Sequence, residues 1–420
     1  MNARYWGWLP ALAVSASPVQ AIDLNWSGFG TVGYAQSDQP YKYQRFIDDS
    51  GTLKRDSILG AQLDARFSPQ LSLTVQGKVA PSDHSDDDWR ASLAWAFVSW
   101  RPNDDWLLRA GKLRLPLMLN TENIDVGATF VTARLPLEVY SIAPTNDIYG
   151  LLVSRSWFLD SAEWTLEGYA GQADTYQRYY GRETTPDNLK TQREPGSFFT
   201  PFRMFSSGLV LTVRDFGNVF RIGLHNVNAK RIDDKSHADI PLIQRPGYSY
   251  YDVNGGRAVD ELNIPVQTIG ASYVFPADIK VTAEYARATV HSASEGLSRW
   301  GAYLNISRRF GDWTPYGYFA KMKSSSKSLS LYQAIEASAQ RAPTAFLSDY
   351  QRFASDILSP VDQWTGALGV AYRVTPTSLL KAEWSQTHTG IASSLVDAPS
   401  GTSSGDRSIN VYSLSYSFTF

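Results

Sequence analysis

The sequence predicts an all-β chain closed into a transmembrane antiparallel up-and-down barrel of about sixteen strands. Three observations predict it: a side-chain period of two from Asp23 to the last residue, connections that alternate strictly between short and long, and apolar stripes rich in aromatics on one parity of the strands. Beyond the N-terminus, no segment approaches the roughly 20 consecutive apolar residues that a membrane helix needs.

The composition agrees with such a chain. Charged residues make up 19% of the 420, against about 25% in soluble domains. Aromatics reach 13%, with 13 Trp and 23 Tyr, so part of the surface faces something other than water. A formal net charge of -2 leaves no basic footprint for nucleic acid. The absence of Cys removes disulfides and thiolate metal sites, and the five His are scattered without metal-ligand spacing.

The first element is a leader. "MNARYWGWLPALAVSASPVQA" has Arg4 as its charged start, an apolar stretch from Tyr5 to Ala16, and Val19 and Ala21 at the small-residue cleavage positions. Pro10, Ser15 and Ser17 interrupt a stretch too short to span, so residues 1–21 read as a signal peptide cleaved after Ala21, and 22–420 as the barrel.

The strand candidates then follow in order: 24–34, 57–67, 71–79, 91–101, 105–113, 148–155, 161–170, 207–214, 218–228, 266–275, 278–289, 299–310, 313–322, 363–373, 378–387 and 409–420. The second sets Leu59, Ala61, Leu63 and Ala65 against Gly60, Gln62, Asp64 and Arg66. The third sets Leu71, Leu73 and Val75 against Ser72, Thr74 and Gln76. Their short connections are "SPQ", "PNDD", "SWFLDS", "DFGN", "PAD", "GD" and "TPTS". The long ones run 35–56, 80–90, 114–147, 171–206, 229–265, 290–298, 323–362 and 388–408. Long loops confined to one side have no cause in a soluble sandwich. In hydrocarbon, every backbone N–H and C=O must be paired within the protein, which leaves closed barrels as the strand solution. Trp26, Tyr34, Trp106, Trp300, Phe310, Trp313, Tyr372 and Tyr412 stand near strand ends, where interfacial girdles belong.

The chain closes on "NVYSLSYSFTF". Tyr412, Leu414, Tyr416, Phe418 and Phe420 share one parity and Ser413, Ser415 and Ser417 the other. Leader, strand count, loop alternation and this terminal strand together resemble the Gram-negative outer-membrane porins, over essentially the whole mature chain. The terminal Tyr416, Phe418 and Phe420 resemble the signal read by the barrel assembly machinery. "GKLRLPLMLNTENIDVG…RLPLEVY" (111 to 140) resembles a porin-like group and differs from the general-porin third-loop sequence "PEFGG".

The resemblance implies a water-filled channel for passive diffusion of small hydrophilic solutes and ions. It also implies a homotrimer embedded among outer-membrane lipids and lipopolysaccharide, with no cofactor and no catalysis. The loop after the fifth strand, about 114–147, would fold inward as the constriction. Its carboxylates Glu122 and Asp125 would then face wall cations. Inward parity offers Gln76 and Lys78 on the third strand, Arg109 or Lys112 on the fifth with Arg114 just beyond, and Lys381 with Glu383 on the fifteenth. Arg66, Arg155, Arg221 and Lys280, near the short-turn end, read as solvated lumen residues. A substrate-specific channel for an anion, sugar or organic acid is the alternative; an outer-membrane hydrolase would need a Ser/His or Asp/His constellation that the five His do not supply.

Other motifs lack the context that gives them chemistry. "GFGTVG" (28 to 33) lies in a strand with no helix after it, so it is not a dinucleotide loop. "GTSSG" (401 to 405) precedes a strand and is no nucleophile elbow. "SDHSDDDW" (82 to 89) reads as a solvated acidic loop, with calcium binding or lipopolysaccharide bridging as the alternative. In 171–206, Tyr176, Arg178, Tyr179, Tyr180, Arg182 and Arg193 could meet sugars or anions. "LSLYQAIEASAQ" (329 to 340) reads as a short helix at the pore mouth.

Overall fold

The structure, a computed structural model, describes residues 22–188, 191–233, 237–253, 255–290 and 298–420. The leader 1–21 and most of the 290–298 connection lie outside them. Sixteen strands close into one barrel: β1 Asp23–Ser37, β2 Ile58–Arg66, β3 Leu71–Pro81, β4 Trp89–Trp100, β5 Trp106–Arg114, β6 Asp147–Leu159, β7 Ala162–Gly181 and β8 Gly196–Asp215, followed by β9 Asn218–Arg231, β10 Leu262–Phe275, β11 Ile279–Ala288, β12 Arg299–Arg308, β13 Trp313–Ser324, β14 Val361–Thr375, β15 Ser378–Ser393 and β16 Arg407–Thr419. Every neighbour is antiparallel, and β16 returns to pair with β1 in the register Thr31↔Ser417.

Strand faces follow the period of two. Leu151, Leu224 and Leu368, in mid-strand, are 61–62% exposed, which water would not tolerate around a whole circumference but hydrocarbon favours. Trp26, Phe158, Phe216, Phe310, Trp313 and Phe420 are exposed at the short-turn end, and Tyr34, Trp89, Tyr149 and Tyr412 at the other. These two rims are the predicted girdles.

The seam explains the "GFGTVG" stretch. Gly28 exchanges backbone hydrogen bonds with Phe420 (2.8 and 3.0 Å). A Cβ on Gly28 would stand 2.3 Å from the Phe420 ring, and one on Gly30 2.6 Å from the Phe418 ring. The glycines are seats for the terminal aromatics rather than a phosphate cradle.

Two connections differ from expectation. "SWFLDS" shortens to Asp160 and Ser161, with Asp160 at φ 53, because pairing continues to Leu159↔Ala162. The stretch 171–206 is mostly strand: β7 and β8 stay paired from Trp164↔Val213 out to Gly181↔Gly196, beyond the 9–11 residues a membrane crossing needs. Mutual pairing satisfies both backbones in water, and Tyr179 stacks on Phe198 at 5.4 Å.

The seventh long connection holds two helices, α2 Ser326–Gln340 and α3 Ala345–Ile357, separate from a single turn, α1 Leu137–Tyr140, in the third. Ser325 caps α2 by accepting from the Ser328 N–H (3.2 Å), and Thr344 caps α3 by accepting from Leu347 (3.2 Å). Only α2 is expected from the sequence. The α3 apolar face becomes legible once Tyr332, Ile335, Ala354 and Leu358 bury against Ile240 and Ala392.

Candidate functional site

Between β5 and β6, the chain leaves the wall and crosses the barrel interior. Its two ends are apolar: Leu115, Leu117 and Met118 on one side, Val139, Tyr140 and Ile142 on the other. They bury against Leu113, Ile148, Val266, Tyr303 and Met322. Burial of this kind, at about 25 cal/mol per Å², holds a segment that has no ladder of its own.

Polar groups on the far wall then fix the loop backbone. Arg221 on β9, 2% exposed, donates to the Met118 carbonyl (2.7 Å), to Glu122 (3.3 Å) and to Thr212 (3.1 Å). Glu284 on β11 accepts from the Leu119 N–H (2.7 Å) and from the hydroxyls of Tyr140 and Tyr303 (2.6 Å each). Glu383 on β15 accepts from the Ala133 N–H (3.2 Å) and Tyr316 (2.8 Å), and Lys381 donates to the carbonyls of Gly127 (2.6 Å) and Thr132 (3.0 Å). Glu138 accepts from Gln363 (2.8 Å) and Thr365 (2.5 Å) on β14. At Gly127, a Cβ would lie 2.5 Å from Ser417 and 2.6 Å from Thr31.

On the near wall the loop meets charge. Asp125 receives Lys78 of β3 and Arg114 of β5, both at 2.8 Å, and Arg114 also holds Asp147 at 2.9 Å. Burial alone would raise the Asp125 carboxyl, but Arg114 and Lys78 hold it below the ordinary carboxylate value. Arg134 forks onto Asp56 (3.1 and 2.7 Å) and donates to Ser413 (2.9 Å). Burial would likewise raise Asp56, and Arg134 outweighs it.

The structure thus brings Lys78, Arg114 and Asp125 together and places Arg109 on the inward parity with Phe97. Four expected residues fall elsewhere. Lys112 lies on the outward parity, 5.5 Å from the exposed Tyr149 ring, since residues three apart on a strand cannot both face inward. Arg114 shares that parity but ends its strand, where the chain turns into the lumen. Lys381 and Glu383, 1% and 5% exposed, lie beneath the loop as anchors and not as free charges. Glu122 reaches the far wall at Arg221. Arg221 is therefore buried rather than solvated, and Arg155 faces out over Trp106 at 5.4 Å.

Glu284, Arg134 and Asp56 are missed by sequence reasoning. Glu284 carried a signal, a carboxylate centred on the polar parity of "KVTAEYARA"; Arg134 and Asp56 sit on loops, where parity says nothing. The acidic loop is largely exposed as expected, with Asp83, Asp87 and Asp88 facing solvent, while Asp86 turns inward to take Arg45 and Arg178.

Two cavities flank the Lys78–Asp125 bridge along β2 and β3. The outer, about 300 Å³, is lined by Arg55, Asp56, Ile58, Ala80, Asp125, Phe130 and Arg134 among others. The inner, about 340 Å³, spans Gln62 to Thr74 and Trp95 to Arg109. The bridge stands between them, since Lys78 lies between Thr74 and Ala80 on one strand.

No family model matches the chain, and no curated protein matches it in sequence. Solved structures match its shape. OmpT, an outer membrane protein of Vibrio cholerae in a trimer form, aligns at TM-score 0.51 and 10% identity, over 96% of this chain and 100% of that one. The outer membrane channel DcaP of Acinetobacter baumannii aligns at 0.50 and 11%, over 95% and 97%. OprB of Pseudomonas putida aligns at 0.50 and 10%, over 95% and 94%. At such identity the likeness is one of fold, and the chain carries the closed antiparallel barrel fold of these outer-membrane proteins.

Proposed function

We propose that the protein is an outer-membrane channel through which small hydrophilic solutes and ions diffuse passively, reached by export with removal of residues 1–21. The observation that carries this reading is the Lys78–Asp125–Arg114 cluster, set between two lumen cavities of a barrel whose outside is apolar. A fixed charge cluster at a constriction orders dipolar solutes and biases ion selectivity. The neighbour DcaP is described as an outer membrane channel and one OmpT structure as a trimer, and a homotrimer is our reading for this chain too. Phe420, Phe418 and Tyr416 serve in this proposal as the address for barrel assembly.

The transport reading is non-enzymatic. His225, inside the barrel, contacts Tyr169 (2.8 Å) and Thr268 (3.1 Å) rather than a serine and a carboxylate. Anions are the favoured ions, because Arg55, Arg66, Arg101 and Arg109 line the two cavities and make no ion pair among the described residues. Planar-bilayer recording of the refolded protein tests the proposal: stepwise conductance with a reversal potential on the anion side is expected. A folded, heat-modifiable protein without conductance would sink it.

A further inference from the structure

The inner cavity contains no residue of the lumen loop; β2 to β5 and their turns build it alone. Its floor is one cross-strand row, Arg66↔Ser72, Ser72↔Ser99 and Ser99↔Arg109. Two serines between two arginines leave space, and neighbouring strands about 4.8 Å apart set the arginine backbones about 14 Å from each other. The next rows bring Phe97 and Trp95 over that floor, and Arg101 closes it from the turn side.

Three guanidinium groups therefore line the cavity, and no carboxylate does. Asp64, nearby, has its oxygens occupied by Gln62 (2.7 Å) and Thr74 (2.6 Å). Glu167 on β7 is within electrostatic reach of Arg109 but outside the lining. Arg109 Nε and Trp95 Nε1 are buried and have no hydrogen-bond partner among the described residues. The Arg109 guanidinium lies 5.1 Å from the centre of the Phe97 ring, which orients it. Buried donors without acceptors are costly, and a ligand that supplies acceptors removes that cost.

We propose that this inner vestibule is a binding subsite for organic anions that carry a carboxylate on a flat apolar body, aromatic carboxylates being the fitting class. The carboxylate takes the Arg109 fork and the Trp95 N–H, with Arg66 and Arg101 as flanking charge. The ring lies against Phe97, Trp95 and Leu107. Transport of the ligand rests on the channel reading above; binding does not.

Benzoate is the probe and acetate its control. In bilayers, benzoate on the short-turn side should interrupt the current at concentrations where acetate does not. Arg109→Gln and Trp95→Phe should each raise the half-blocking concentration about tenfold, and Arg308→Gln, on the membrane-facing rim, should leave it unchanged. Equal block by acetate, or block unaltered in both variants, would overturn the proposal. If the folded protein conducts nothing, the channel reading fails while this one is still decided: titration calorimetry in detergent should show benzoate heat that Arg109→Gln abolishes, and no heat would refute the subsite.

Discussion

Asp125 is held from two sides, by Lys78 and Arg114, and its exchange for Asn strips Lys78 of its carboxylate and leaves Arg114 with Asp147 alone. Breaking a buried pair on one side costs about 3–5 kcal/mol, so Asp125→Asn should loosen the loop as well as recharge it. The expected outcome is a reversal potential shifted toward anions, with noisier open-channel current; an unchanged reversal potential would remove Asp125 from the constriction. Adding Glu122→Gln should extend the shift less than Asp125→Asn alone, because Glu122 is spent on Arg221. The sign of the pH effect follows from the same tethers. The folded values of Asp56 and Asp125 lie below the ordinary 3.8, so their contribution is complete above that value and is lost as pH falls through the lower folded values. Current noise from the loop should stay flat from neutrality down to about the ordinary value and rise only below it.

Among the elements, the β1–β16 seam depends on glycine seats. Gly28→Val or Gly30→Val must displace the Phe420 or Phe418 ring. Each should lower the temperature at which the barrel unfolds on heat-modifiability gels, whereas Phe420→Ala combined with Gly28→Val should recover part of the loss. The helical connection depends on a different residue. Arg182, 2% exposed, joins Glu336 (2.5 Å) and Asp356 (2.7 Å) to the Thr402 carbonyl (2.7 Å). Truncation to Ala leaves two half-buried carboxylates together, so Arg182→Ala should expose α2 and α3 to limited proteolysis while the barrel itself stays heat-modifiable. Period two made the strands legible because one face is apolar and the other polar. It failed for β7 and β8 past the membrane, where both faces are wet, and for α3, whose apolar face answers to residues far away in sequence.

Across the whole molecule, the long-loop mouth is tied by charge. Arg178 of β7 reaches Asp397 in the last long loop (2.6 Å) and Asp86 in the second, and Asp86 also takes Arg45 from the first. Loops on opposite sides of the barrel therefore meet over the entrance. Asp86→Asn with Asp397→Asn should raise the conductance in low salt, and high salt should narrow the difference by screening the wild-type ties; equal conductance would show that these loops do not limit flow. The sequence by itself determined the closed barrel, the number and order of its strands and the alternation of apolar and polar faces along them, because those depend on local alternation and on hydrocarbon's demand for paired backbone. The resemblance carried by the sequence also pointed to the loop at about 114–147 as the segment that folds inward. Only the tertiary structure decided which charges are paired: Lys381, Glu383 and Arg221 became anchors, while Arg66, Arg101 and Arg109 have no ion pair among the described residues, because pairing is set by distances across the lumen between residues about a hundred or more positions apart.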